Sequence, residues 1–104
     1  MSLQHTLRNT LLFLALAAGA LPANAADSKG TVLITGANRG IGLALAERFE
    51  RGGYSVIGTA RSPDTATELR ALDLRIEQLD VTSPDSVKAL AGRLQGTPID
   101  ILIN

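Results

Sequence analysis

A doubly wound parallel α/β sheet is the fold class this sequence predicts, and three observations predict it. Strand-like and helix-like segments alternate from Lys29 to Asn104. The connections between them are short and carry helix-start and turn residues. The composition is rich in aliphatic residues and poor in aromatic ones, with Phe13, Phe49 and Tyr54 the only rings of that kind. Such a chain suits a core of Val, Ile, Leu and Ala between a sheet and helices. Alternation of this type implies parallel strands joined by right-handed crossovers, with helices on both faces. The expected order is βαβαβαβ, with the strands arranged 3-2-1-4.

Each element has its own signal. Thr31–Thr35 reads as a buried strand, short and continuously apolar between its ends. Ile41–Arg51 reads as a helix whose positions Ile41, Ala44, Leu45 and Phe49 share one face, with Glu47, Glu50 and Arg51 toward water; Gly52 and Gly53 stop it. Tyr54–Ala60 is the second strand. Ser62, Pro63 and Asp64 supply an N-cap, a first-turn proline and an acid, opening a helix toward Leu72. Leu74–Leu79 is the third strand, where charged Arg75 and Glu77 between apolar neighbours mark a sheet edge. Ser83, Pro84 and Asp85 repeat the helix-start signal, and Val87, Leu90, Ala91 and Leu94 fall on one helical face. Gly96 and Pro98 end that helix, and Ile99–Ile103 is the fourth strand. In this arrangement Asp64, Asp73 and Asp85 read as helix-flanking residues.

Composition also excludes function classes. Formal charge is zero with the basic residues scattered, so no electrostatic footprint for nucleic acid exists. Exposed aromatic platforms for single strands are lacking as well. Without cysteine there is no disulfide, thiolate nucleophile or zinc knuckle, and no metal site is expected.

The first 25 residues read as a leader and not as part of the fold. A mildly basic start (His5, Arg8) precedes the apolar run Leu11–Leu21, then Pro22 and the small-residue site Ala23-Asn24-Ala25. This is the layout of a secretory signal peptide, with cleavage expected after Ala25. The run is too short to span a bilayer, which needs about 20 apolar residues. The division expected is therefore a leader over 1–25 and an incomplete α/β domain over 26–104. The product is exported, to a periplasm for example, if the leader is cleaved, and cytoplasmic otherwise. No twin-arginine pair precedes the apolar run.

The chemistry is concentrated where the first strand runs into the first helix, at Thr35-Gly36-Ala37-Asn38-Arg39-Gly40-Ile41-Gly42. Glycines at a strand-to-helix turn let the backbone approach a ligand closely. Free N–H groups and the positive end of the helix dipole then face an anion. A glycine-rich turn alone also occurs for purely structural reasons. Here a strand precedes it, a helix follows and a second strand comes next, which is the context a dinucleotide cradle requires.

With those residues in place the chain resembles the short-chain dehydrogenase/reductase family, in its N-terminal half. The matching positions are Thr35 to Gly42, the strand-end pair Asp80-Val81, and Asp100-Ile101-Leu102-Ile103-Asn104. The last looks like the opening of the family's Asn-Asn-Ala-Gly segment. Asn38-Arg39, Gly58-Thr59-Ala60-Arg61 and Asp80-Val81-Thr82-Ser83 look closest to the carbonyl-reductase and C-factor/sniffer-like branch. The resemblance implies a Rossmann-like sheet that here ends after its fourth strand. It implies a nicotinamide dinucleotide as cofactor, a small carbonyl or alcohol substrate for the full protein, and a homo-oligomer.

Arg61 refines the cofactor. A dinucleotide fold that prefers NAD places a carboxylate after the second strand to bind the ribose 2′-hydroxyl. This chain has Arg61 there, a planar cation suited to phosphate, and Arg39 in the glycine loop could meet the same group. The alternative is two solvated surface arginines. The missing acid tips the reading to NADP(H) over NAD(H). By the resemblance, Asp80 and the Val81 backbone accompany the adenine, and Asn104 lies beside the adenosine ribose. The expected cofactor-binding set is thus Gly36, Asn38, Arg39, Gly40, Ile41, Gly42, Arg61, Asp80, Val81 and Asn104.

No catalytic set accompanies it. In the family a Tyr-x-x-x-Lys pair with a Ser protonates the developing alkoxide, downstream of the fourth strand. The one tyrosine here is Tyr54, and four residues on stands Gly58. The expectation is a cofactor-binding fragment of an NADP(H)-dependent oxidoreductase. A non-enzymatic NADP(H)-binding sensor or an incomplete reading frame are the alternatives.

Overall fold

The computed structural model describes residues 28–104; the expected leader and its cleavage site lie outside them. The strands are β1 (Thr31–Ile34), β2 (Ser55–Ala60), β3 (Arg75–Gln78) and β4 (Ile101–Ile103). Between them run helix α1 (Gly40–Arg51), a 3₁₀ turn (Pro63–Thr65) followed by the short helix α2 (Thr67–Arg70), and helix α3 (Pro84–Arg93). All strand pairs are parallel and the order is β3-β2-β1-β4, as the alternation predicts. The charged strand β3 is an edge, and β4 is the other.

Side chains alternate across the sheet, so the register sorts them onto two faces. Val32, Ile34, Val56 and Ala60 point to one face and join Leu43 and Ala46 of α1, Ala37 of the loop, and Ala66 and Leu69 in one buried cluster. Gly58 lies on this face because a Cβ there would press to 3.1 Å from both Ala37 Cβ and Leu69 Cδ1. The opposite face carries Leu33, Ile57, Thr59, Arg75, Glu77 and Leu102, in rows fixed by Leu33↔Ile57, Leu33↔Leu102 and Thr59↔Glu77. Helix α3 lies on that side.

Three details differ from the periodicity. The buried residues of α1 are Leu43 and Ala46, while Ile41 is 81% exposed and Ala44 faces solvent. The cause is Gly42: a Cβ there would stand 2.2 Å from Gly36 O, so only this bare position can face the loop. With Gly42 turned inward, Ala46 and Phe49 follow at i+4 and i+7, and Ile41 is rotated outward. Glu47 and Glu50, expected toward water, are half-buried, and Arg51 is exposed as expected.

The helix expected from Ser62 to Leu72 is broken in two. Ser62 makes no side-chain cap, and Ala66 (φ −81°, ψ 68°) leaves the helical region to bury its methyl. Hydroxyls of Thr65 and Thr67 donate to the carbonyls of Ser62 and Thr65, at 3.1 and 3.4 Å, competing with helical bonding. Ser83, by contrast, is a working N-cap, its Oγ accepting from Ser86 N–H at 3.2 Å.

The apolar stripe on α3 is only partly used. Leu90 is buried, Leu94 half-buried, Ala91 exposed and Val87 47% exposed. Polar groups set this helix's rotation. Ser86 bonds the β3 end, and Arg93 reaches Glu77 and Gln78, so Ser86, Leu90 and Arg93 (spaced i, i+4, i+7) face the sheet. The strands are otherwise as expected but shorter: β1 and β2 lose one residue each, β3 one at either end, and β4 two at its start, leaving Ile101–Ile103. Among the described residues no helix is long and apolar enough to cross a membrane.

Candidate functional site

Because the four strands are parallel, their carboxyl ends share one edge, and every residue singled out for cofactor binding lies along it. The loop after β1 is fixed at two points by backbone bonds. Thr35 N–H donates to Ile103 O at 2.9 Å, and Ala37 N–H donates to Thr59 O at 2.8 Å, with the Ala37 methyl fully buried. Between these anchors and the helix, Gly36 (φ +61°) and Gly40 (φ +58°) take left-handed conformations that side chains resist. No atom lies within 4 Å of where their Cβ would be, so the space above them is open.

The start of α1 is uncapped. Arg39 stands at the cap position in extended conformation, makes no side-chain cap bond, and no acid occupies the first turn. The first intrahelical bond runs from Leu43 N–H to Arg39 O at 3.2 Å. Among the described residues, no backbone acceptor takes the N–H of Gly40, Ile41 or Gly42. Orphan donors, the positive dipole end and open space above two glycines fit a phosphate group. Asn38 is half-buried at the rim; Arg39, Gly40 and Ile41 are exposed around it.

Arg61 follows Ala60, the last residue of β2, and is exposed at the same edge. Among the described residues neither Arg39 nor Arg61 belongs to an ion pair. Asp80, past the end of β3, is held by Thr82, whose hydroxyl and N–H donate to Oδ1 at 2.6 and 3.0 Å. Those two bonds, the hydroxyl first, hold the Asp80 carboxyl below its ordinary value, and the Arg61 charge adds to them against a smaller desolvation effect. Val81 is 61% exposed, and Asn104 accepts from the Thr35 hydroxyl at 2.7 Å. So β1 and β4 are tied at the edge on one side of the loop, and Arg61 and Asp80 stand together on the other.

Tyr54 lies at the opposite end of the sheet, ahead of β2, where its ring meets Phe49 edge-on (centroids 5.1 Å apart, planes at 88°). It lines a groove of about 480 Å³ with Glu50, Ser55, Asp73 and Arg75, remote from the glycine loop. Among the described residues no group of three metal-ligating side chains exists. Sequence reasoning missed Gln78 and Ser86, whose side chains bond the backbone at Arg61 and Asp80. A serine in the first turn of a helix carries no signal of such a role.

Fold and edge together define a Rossmann-like α/β protein whose open glycine loop lies at the carboxyl ends of β1 and β4, where the strand order reverses. Comparison with known proteins gives the family. The short chain dehydrogenase family profile matches residues 30–104. Short-chain dehydrogenase ptmH of Penicillium ochrochloron is 43% identical over 79 residues, covering 71% of this chain and 29% of its own length. Among solved structures, a short-chain dehydrogenase/reductase of Burkholderia multivorans with bound NADP is 47% identical with a TM-score of 0.66, covering 70% of this chain and 34% of that one. A carbonyl reductase of Pseudomonas aeruginosa in complex with NADP is 35% identical, also with a TM-score of 0.66, covering 70% and 36%. The chain belongs to the short-chain dehydrogenase family and spans about a third of the length of such relatives.

Proposed function

We propose that this chain is the cofactor-binding part of an NADP(H)-dependent short-chain oxidoreductase, acting on a small carbonyl or alcohol. Bound at the β1–α1 loop, the cofactor supplies or accepts the hydride. The chain's own residues bind and orient. N–H groups of Gly40, Ile41 and Gly42 receive the pyrophosphate, with Gly36 and Asn38 shaping the approach. Arg39 and Arg61 hold the 2′-phosphate. Asp80 and the Val81 backbone accompany the adenine, and Asn104, steadied by Thr35, lies beside the adenosine ribose.

The observation that carries the preference is Arg61, an exposed and unpaired guanidinium at the β2 end, where a carboxylate would select NAD. The NADP-bound relatives from Burkholderia and Pseudomonas support the same reading. Arg61→Asp removes a charge-assisted phosphate contact and adds a repulsive charge. NADPH binding should weaken about ten- to hundred-fold with NADH little changed. A titration showing the same preference before and after the substitution would overturn the assignment.

Placement near the carbonyl reductases rests on Asn38-Arg39 and Gly58-Thr59-Ala60-Arg61 together with the similarity to the Pseudomonas enzyme. The whole protein is a homo-oligomer, and residues 1–25 are a leader removed after Ala25 on export. A mature amino terminus at Ala26 by mass spectrometry supports the leader; an intact Met1 in the cytosol refutes it.

A further inference from the structure

Strands β2 and β3 diverge just past their last paired residues, Ala60 and Gln78. Leu79 N–H still reaches Ala60 O at 3.0 Å, and then Arg61 and Asp80 leave the ladder on separate paths. Side chains take up two of the backbone groups exposed there. Asp80 N–H donates to Ser86 Oγ at 2.9 Å, and Arg61 O accepts from Gln78 Nε2 at 3.4 Å. The same serine hydroxyl donates to Gln78 Oε1 at 3.2 Å.

A hydroxyl has one proton and two lone pairs, so Ser86 can accept from Asp80 and donate to Gln78 at once. Its donated proton directs the amide oxygen of Gln78 toward itself, leaving the amide nitrogen for Arg61. Both members are anchored elsewhere. Ser86 N–H is held by Ser83 Oγ at 3.2 Å, and Gln78 O accepts from Arg93 Nη2 at 2.8 Å. The two residues that flank the adenosine end of the site therefore hang on one relay from the first turn of α3.

We propose that Gln78 and Ser86 are positioning residues for the adenosine site and that Gln78, through Arg61, sets the discrimination between NADP(H) and NAD(H). This rests on the reading of Arg61 as the 2′-phosphate ligand. Neither residue touches the cofactor. The Gln78 side chain meets Arg61 directly and Asp80 only through the Ser86 hydroxyl, which keeps its bond from Asp80 N–H when Gln78 is lost, so that loss falls chiefly on ligands that carry a 2′-phosphate. The Ser86 arm reaches Asp80 as well, so its loss falls on every adenosine ligand. A role in stability alone would weaken all such ligands in proportion.

Two probes separate these outcomes in the full chain by titration calorimetry: 2′,5′-ADP, which carries the extra phosphate, and 5′-AMP, which lacks it. Gln78→Met should weaken 2′,5′-ADP about three- to ten-fold and leave 5′-AMP within about two-fold. Ser86→Ala should weaken both about three-fold or more, and Ser86→Thr, which keeps the hydroxyl, should restore both. If Gln78→Met keeps the wild-type ratio of the two affinities while Arg61→Ala abolishes it, the relay is refuted and the Arg61 assignment stands. If the unmodified chain shows no preference for 2′,5′-ADP, the Arg61 assignment itself fails and the relay with it.

Discussion

The two faces of the sheet are held by different forces. On the α1 side, Val32, Ile34, Ala37, Ala46 and Leu69 meet in a dry cluster in which shape decides position. On the α3 side, Leu90 is the one buried apolar residue the helix contributes, packing on a face with Leu33, Ile57 and Leu79, and charge and hydrogen bonds add to that smaller apolar contact. Glu77 there takes Arg93 Nε at 2.7 Å on one carboxylate oxygen and Arg75 Nε at 2.8 Å on the other. The difference matches what each face supports. The packed face fixes the glycine loop, where Gly42 must sit against Gly36 O and Ala37 against Gly58. The polar face fixes the ends of β2 and β3, where Arg61 and Asp80 project. A close backbone approach needs a rigid frame; charged side chains at strand ends need directed bonds.

Substitutions can break this contrast, and the largest effect belongs to the packed face. Leu69 is fully buried beneath β2 and against Gly58. Leu69→Ala should lower unfolding free energy by about 2–5 kcal/mol, read as a shifted midpoint in urea with an unchanged slope.

Glu77 comes next. Burial pushes its carboxyl up, but hydrogen bonds from Arg93 and then Arg75, with their charges, more than offset this and leave it below the ordinary 4.5. A carboxyl depressed in the folded state stabilises the fold above its unfolded value, and that contribution is lost as pH falls through the folded value. Glu77→Gln should therefore cost about 1–3 kcal/mol near neutral pH. The gap between wild type and variant should close as the pH of thermal melts is taken below 4.5. A gap independent of pH would remove the ion pairs from the account.

The smallest effect is expected at Thr59, 1% exposed on the α3 face, whose buried hydroxyl has no hydrogen-bond partner among the described residues. An isosteric apolar replacement of such a group is neutral or stabilising. Thr59→Val should leave the melting midpoint unchanged or raise it by an amount worth up to about 1 kcal/mol. A clear loss would mean that the hydroxyl has a partner after all.

The same contrast explains what could be read from the sequence. Strand alternation made the parallel order legible, and the glycine run made legible the open turn after β1, because both depend on local pattern. The rotation of α1 was not legible, since Ile41, Leu43, Ala44, Leu45 and Ala46 make that helix apolar almost all round. Only the close approach of Gly42 to Gly36 selects the buried stripe. The rotation of α3 was hidden for a different reason: Ser86 and Arg93 choose it by bonding to β3, across the fold. Ser62 and Ser83 carry the same local signal, Ser-Pro-Asp, yet only Ser83 caps a helix. Tertiary burial of Ala66 decides that case. The place of Arg61 at the β2 end was legible because a missing acid at a strand end is a positional fact, whereas no spacing announces the bonds that Gln78 and Ser86 make there.

On the proposed assignment, Arg61 at the β2 end makes this edge an NADP(H) site. The most direct measurement is a side-by-side titration of the unmodified protein with NADPH and NADH at fixed ionic strength. NADPH should bind at least about ten-fold more tightly, the difference a charged phosphate contact supplies. Equal affinities, or tighter binding of NADH, would contradict it.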